Sequence, residues 1–363
     1  MHCEKNITVL TLIKYGIIST KNHELVMFFN DSECNLKAII AIHNTTLGPA
    51  MGATRLFPYK SEEDALKDVL RLSYGMTYKA ACADLNAGGG KAVIIADPKD
   101  KTPELLKAYG RCINSLKGRF ITGQDVNISV EDVNQIRTET HYVVGVSQAN
   151  PTQATAIGVL EGMKASVDFL WPGRKMKGLK VAVQGVGNVG KILCEYLNKE
   201  RVELFVSDNK IERAEEMKYK YGATIVSPSE IFDIDVDIFS PCALGGILNS
   251  SVIHRLKASI IAGSANNQLE NYQTDSKLLE SKGILYCPDY VINAGGLIDV
   301  YYERIGYEEQ KSYHKIHQIS KTLMEIFTRA KSEQKTTLEI ANCMANEKLF
   351  KAKNTPPKNL HPL

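Results

Sequence analysis

No apolar run in the chain approaches the ~18 residues that a membrane span requires, so a membrane partner is not expected. An apolar stretch at residues 7–13 lacks a basic flank and a small-residue cleavage site, and Lys14 interrupts it. It therefore reads as a first helix rather than a secretory signal. A surplus of one charge is missing too. The 44 Lys and Arg against 41 Asp and Glu leave a formal +3 over 363 residues, which offers no hold for nucleic acid or an anionic surface. Cys-x-x-Cys pairs are absent. The eight cysteines (Cys3, Cys34, Cys82, Cys112, Cys194, Cys242, Cys287 and Cys343) stand apart, with no His at zinc-ligand spacing. No metal is expected, and the thiols read as free groups in a reducing cytoplasm. Repeats and low-complexity tracts are lacking, and the Pro-containing residues 351–363 read as a solvated tail.

What is present is a chain of 363 residues, 44% hydrophobic, which exceeds one compact core and predicts two α/β domains, 1–149 and 150–324. Helices at about 325–350 are expected to pack back on the first. In the first part, residues 25–29 and 36–42 read as a hairpin, 92–96, 120–122 and 142–146 as strands, and Ser61 and Thr102 as helix starts. After Pro151 the rhythm becomes regular. Apolar strands at 180–184, 203–207, 223–226, 236–240, 259–262 and 284–286 alternate with helices, the pattern of a parallel, doubly wound Rossmann sheet.

The first of those strands runs into Gly185-Val186-Gly187-Asn188-Val189-Gly190, a G-x-G-x-x-G run between strand and helix. There the first glycine permits the tight turn, the second lets backbone approach a pyrophosphate at the helix N-terminus, and the third allows close helix–strand packing. Asp208 follows the next strand, where a carboxylate can accept from both ribose hydroxyls of NAD and would repel the 2′-phosphate of NADP. NAD is therefore the expected cofactor.

A second cluster lies upstream: Met76-Thr-Tyr-Lys79, Gly88-Gly89-Gly90-Lys91 and Thr122-Gly123-Gln124-Asp125. A lysine suits a substrate carboxylate, and like charge with desolvation makes a second lysine's proton easier to lose. An aspartate can shuttle protons to an amine. Spacing alone leaves open that these are surface lysines beside a glycine-rich loop.

Longer segments carry a resemblance. Residues 37–55 (with His43, Gly48, Met51, Gly52 and Arg55), Gly75–Lys79, Gly88–Lys91, Gly185–Gly190, Pro241–Gly245, Ile261–Gln268 and Pro288–Gly296 are similar, in order, to the leucine/phenylalanine/valine dehydrogenase family of amino-acid dehydrogenases. The resemblance implies a catalytic and oligomerisation domain first, an NAD domain second, an active site in the cleft between them, and a homo-oligomer, dimer or octamer. It implies that Lys79 holds the substrate carboxylate, that Lys91 is the general base and that Asp125 exchanges protons with the amino group. Gly52, Met51, Gly123, Asn293, Leu297 and Val300 are implied as substrate contacts. Thr155, Cys242, Ala243, Ala265 and Asn266 join the glycine run and Asp208 at the cofactor.

Several positions depart from the leucine-specific pattern. Met51-Gly52-Ala53 stands for Leu-Gly-Gly, Ala87 for Leu, and Gly123 for Ala. Loss of side-chain volume is expected to enlarge the pocket, and an indole buries far more surface than an isobutyl group. The combination resembles most the cyanobacterial tryptophan-oxidising subgroup of the family, whose product is indole-3-pyruvate. Leucine or phenylalanine oxidation is the alternative, and a non-catalytic NAD-binding protein the remote one. Asn127, where leucine enzymes have Gly, is expected to narrow backbone freedom beside Asp125. Asp84 is expected to add a charge close to the Lys91 loop.

Overall fold

A computed structural model describes residues 22–354, residue 244 apart, and the elements and contacts below are those of the described residues. The expected first helix at residues 7–13 and most of the expected tail lie outside them. The chain divides into two compact units: Met1–Ala149 with Glu303–Ile305 and Ala345–Leu363, and Asn150–Tyr302 with Gly306–Met344. The chain returns to the first unit briefly at Glu303–Ile305 and again from Ala345, while residues 325–344 group with the second.

In the first unit, β1 (Leu25–Asp31) and β2 (Leu36–Asn44) form the expected antiparallel hairpin. Next come β3 (Ala50–Met51), β4 (Thr54–Phe57), α1 (Glu62–Cys82), β5 (Gly88–Ile95), α2 (Pro103–Ser115), β6 (Phe120–Ile121) and α3 (Val130–Arg137). The sheet runs β1-β2-β5-β3-β6, with β4 also on β5. Strand pleating explains its apolar runs, because successive side chains face opposite sides. Ala38, Ile40, Ile42, Ala92 and Ile94 pack with Leu105, Tyr109 and Ile113 of α2 and with Val133 and Ile136 of α3. Ile39, Ala41 and Val93 pack on the other face with Ala65, Val69 and Leu70 of α1. Both helix starts are capped as expected: Ser61 Oγ accepts from the Asp64 N–H and Thr102 Oγ1 from the Leu105 N–H.

Two sequence expectations need correction. The glycine run 88–90 lies within β5 rather than in a loop before it, and residues 142–146 form no strand. A single bridge joins Thr122 to Val143, and the chain then turns at Gly145 (φ 79°). That turn is tied down because the Glu303 carboxylate accepts the N–H groups of Gly145 (3.0 Å), Val146 (3.1 Å) and Ser147 (3.2 Å).

The second unit opens with α4 (Pro151–Leu170). Then follow β7 (Lys180–Gln184), α5 (Asn188–Lys199), β8 (Glu203–Ser207), α6 (Ile211–Tyr221), β9 (Thr224–Ile225), β10 (Ile238–Pro241) and α7 (Ser250–Arg255). The unit continues with β11 (Ile260–Ile261), α8 (Tyr272–Ser281), β12 (Leu285–Tyr286), α9 (Asp289–Ile292) and α10 (Gly295–Ile305). Helices α11 (Glu309–Glu333) and α12 (Thr337–Lys353) close the described chain. All pairings in this sheet are parallel, in the order β12-β11-β10-β7-β8-β9. That is the doubly wound Rossmann arrangement, and its order reverses between β7 and β10, where such sheets open a crevice at their carboxyl ends. Among the described residues, no helix is long and apolar enough to cross a membrane.

Candidate active site

Strand pairing assembles the first cluster. Met51 pairs with Gly89 on β5 and with Ile121 on β6, and Thr54 bridges to Gln124. The ends of β3 and β6 beside the middle of β5 therefore gather Met51, Gly52, Lys91, Gly123 and Asp125. The pleat decides where Lys91 points. Val93 packs against α1, and Gly89 abuts Thr77 of α1 so closely that a Cβ would lie 2.6 Å from its Cα. Lys91, between them in the alternation, takes that same side of the sheet. Helix α1 carries Lys79 in its last turn on this side, half-buried.

Lys91 is 7% exposed, and its Nζ lies 2.6 Å from Oδ2 of Asp125. Burial alone would push the Asp125 carboxyl up. The charges of Lys91 and Arg55 and the Val126 N–H outweigh this and hold it below its ordinary value. An ammonium and a carboxylate in such contact can pass a proton, and a half-buried lysine nearby can hold an anion.

The loop bearing Asp125 is anchored by Asn127, the residue expected to narrow its backbone freedom. Asn127 adopts φ 57°, a left-handed conformation that Asn tolerates better than most residues, and its amide donates to the Leu56 carbonyl at 3.0 Å. Asn127 thus replaces freedom with a tether to β4. Asp84 stands just past the end of α1 and pairs with Lys348 at 3.0 Å, so its charge is met locally. Nor does Gly123 border an open void: a Cβ there would meet the Val144 carbonyl at 3.0 Å. His43 is a packed strand-end residue, its Nδ1 2.8 Å from Thr77 Oγ1.

In the second unit, Gly185 adopts φ 96°, which favours glycine, and a Cβ would lie 2.7 Å from Ala243. This is the crevice between β7 and β10, where the Cys242 N–H also donates to the Gln184 carbonyl at 2.7 Å. Gly190 packs against the Gly185 carbonyl, whereas a Cβ on Gly187 would meet nothing nearer than Arg213 at 3.8 Å. Two tight glycines and one facing open space at the start of α5 form a cradle that could hold a pyrophosphate. Asp208 joins it: one carboxylate oxygen accepts the Val186 N–H at 3.0 Å, the other the Lys210 N–H at 2.9 Å.

Nearby chain segments supply a second group. Asn293 is 4% exposed, and its amide donates to Asn266 Oδ1 (2.8 Å) and to the Ser264 carbonyl (3.1 Å). Its own Oδ1 has no partner among the described residues. Thr155 donates to the Pro151 carbonyl, and a Cβ on Gly296 would lie 2.8 Å from its Oγ1. Leu297 (buried) and Val300 (half-buried) stand one turn apart on α10. The expected substrate residues therefore divide, with Lys79, Met51, Gly52 and Gly123 in the first unit and Asn293, Leu297 and Val300 in the second.

Comparison with known proteins places this arrangement. The model of the Glu/Leu/Phe/Val dehydrogenase dimerisation domain matches residues 23–148, and that of the glutamate/leucine/phenylalanine/valine dehydrogenases matches residues 203–355. L-tryptophan dehydrogenase of Nostoc punctiforme is 57% identical over 349 residues, covering 96% of this chain and 99% of its own. The chain belongs to the Glu/Leu/Phe/Val dehydrogenase family of amino-acid dehydrogenases. Leucine dehydrogenase of Geobacillus stearothermophilus is 47% identical, covering 94% of each chain. The crystal structure of the Nostoc punctiforme enzyme superposes with a TM-score of 0.80, covering 93% of this chain and 98% of that one.

Within this family member, two site neighbours escape a reading of spacing. Arg55 places its Nε 3.5 Å from the same Asp125 oxygen that Lys91 approaches, and Arg213 lies 3.8 Å from Asp208. Arg55 sits inside a quoted segment, Gly52-Ala-Thr-Arg55, yet nothing in its spacing points to Asp125 seventy positions on.

Proposed function

We propose that this dehydrogenase oxidises L-tryptophan to indole-3-pyruvate and ammonia with NAD. The Lys91–Asp125 contact, buried beside a glycine-lined strand edge, carries the reading of the chemistry. Greater identity to a tryptophan dehydrogenase (57%) than to a leucine dehydrogenase (47%) supports the choice of substrate.

The glycine cradle and Asp208 suit a dinucleotide, and its nicotinamide, when bound, supplies the hydride acceptor. Asp208 favours NAD, since a 2′-phosphate would meet a carboxylate. Lys79 holds the substrate carboxylate. The resemblance implies Asn293 as a substrate contact, and its Oδ1 is an acceptor left over among the described residues. As the α-carbon loses hydride the substrate becomes an imine, and Lys91 takes a proton from the water that adds to it. Asp125 passes protons to and from the nitrogen, which leaves as ammonia. A homo-oligomer is part of the proposal, supported by the description of the first matched segment as a dimerisation domain.

Initial rates on tryptophan, phenylalanine, leucine and valine, each with NAD and with NADP, test the proposal. Tryptophan with NAD should give the highest kcat/KM, followed by phenylalanine. Leucine or valine ahead of tryptophan, or equal use of NADP, would overturn the corresponding part.

A further inference from the structure

Asp125 is addressed by two cations on one oxygen. Lys91 Nζ lies 2.6 Å and Arg55 Nε 3.5 Å from Oδ2. Arg55 is itself clamped: its Nη1 donates to Asp68 Oδ2 at 2.9 Å, and Tyr59 donates to that same Asp68 oxygen at 2.5 Å. Burial and Asp68 push the Tyr59 hydroxyl up, so it stays a neutral donor. The side chains of Arg55 and Asp125 are each 21% exposed, so their charges are only partly screened. A guanidinium held by a carboxylate and a phenol has little freedom to leave.

We infer that Arg55 is a positioning residue for proton transfer: clamped by Asp68 and Tyr59, it shares Oδ2 of Asp125 with Lys91 and keeps that carboxylate placed and charged when Lys91 gives up its proton. This rests on the reading of Lys91 and Asp125 under the proposed function. Without a second cation, a deprotonated Lys91 would leave a partly buried carboxylate unpaired, and such a site would resist losing the proton.

The groups facing Asp125 come from every element around it. Lys91 comes from β5, Arg55 from β4, and the Val126 N–H from its own loop. Asp68 stands behind Arg55 on α1, the helix that also carries Lys79. Lys101 reaches the Asn127 carbonyl at 3.0 Å but is paired with Asp132. Tyr109, buried and kept neutral, shares a hydrogen bond with Thr54 beside the bridge to Gln124. Removing Arg55 therefore takes away one of the two cations on Oδ2 of Asp125, none of the neighbours named above replaces it, and the potential around the pair becomes more negative.

The test follows the pH profile of kcat/KM for oxidative deamination in Arg55→Gln, Arg55→Lys and Asp68→Asn, with folding checked by circular dichroism. In Arg55→Gln the acid limb should move up by ~1 pH unit and kcat fall, with KM for tryptophan changed less. Arg55→Lys should return the limb towards wild type with kcat partly restored, since lysine keeps the charge but not the planar fork. Asp68→Asn should lower kcat without an upward shift, because it removes an anion rather than a cation. An unmoved limb in folded Arg55→Gln, or equal upward shifts in Arg55→Gln and Asp68→Asn, would reduce Arg55 to a structural part and overturn the inference. Should Arg55→Gln fail to fold, an upward shift in Asp68→Asn overturns it alone. The Asp125 carboxyl can also be titrated directly by 13C NMR, assigned with Asp125→Asn. Its midpoint should rise in Arg55→Gln and stay near the wild-type position in Arg55→Lys, even if the wild-type protein oxidises no amino acid, a result that would sink the functional reading instead. An unchanged midpoint in Arg55→Gln would overturn the role of Arg55.

Discussion

Replacement of Lys91 by alanine is expected to lower kcat for tryptophan oxidation by about 10³-fold, the scale of a lost general base, while cofactor binding persists. Gly89 and Val93 fix the face on which Lys91 stands, and burial to 7% exposure leaves its ammonium few partners other than Asp125. Of the two cations paired with Asp125 among the described residues, alanine takes away the one that can accept a proton from water, since Arg55 stays protonated. The glycine cradle and Asp208 belong to the other unit and are untouched by the change. Steady-state rates beside NADH titration by fluorescence check this. A loss below about tenfold would remove Lys91 from proton transfer.

Gly52→Ala should be nearly as damaging although it removes no functional group. A Cβ at Gly52 would overlap the Gly90 carbonyl oxygen, lying 2.6 Å from the Gly90 carbonyl carbon and 3.2 Å from the Lys91 nitrogen. Those atoms are backbone in the middle of the sheet and cannot rotate away, so β3 and β5 must part, and Lys91 moves with them. Overpacking of this kind costs about 1–3 kcal/mol. A displacement of about 1 Å at a catalytic group costs about 10²-fold in rate. A lowered thermal midpoint with kcat down by that factor is the expected result. An unchanged midpoint with wild-type kcat would mean that the contact at Gly52 does not position Lys91.

The second unit was the more legible in the sequence, for a physical reason. Its inner strands are largely buried and read as short apolar runs, and its glycine run has its meaning set by the strand before and the helix after. Every expected strand there is present, most of them a residue or two shorter. The first unit hid more. Gly88–Gly90 offer no side chains whose alternation could announce β5, although that strand holds the site together. Strands β3 and β4 are too short for periodicity. Residues 142–146 carry the apolar pattern of a strand, yet only Val143 bridges, because Glu303 gathers the following N–H groups into a turn. Asn127 looked like a constraint and proves a tether, and Arg55 could be linked to Asp125 only by seeing β4 beside the loop. Long-range pairing is what spacing along a chain cannot express.

The most direct measurement mixes the wild-type protein with tryptophan and NAD and follows NADH by absorbance and ammonia by assay on the same samples. Equal amounts of both, with the oxo acid of tryptophan as the third product, are predicted. Firm NAD binding with no NADH or ammonia from tryptophan or any other amino acid would contradict the account at its root.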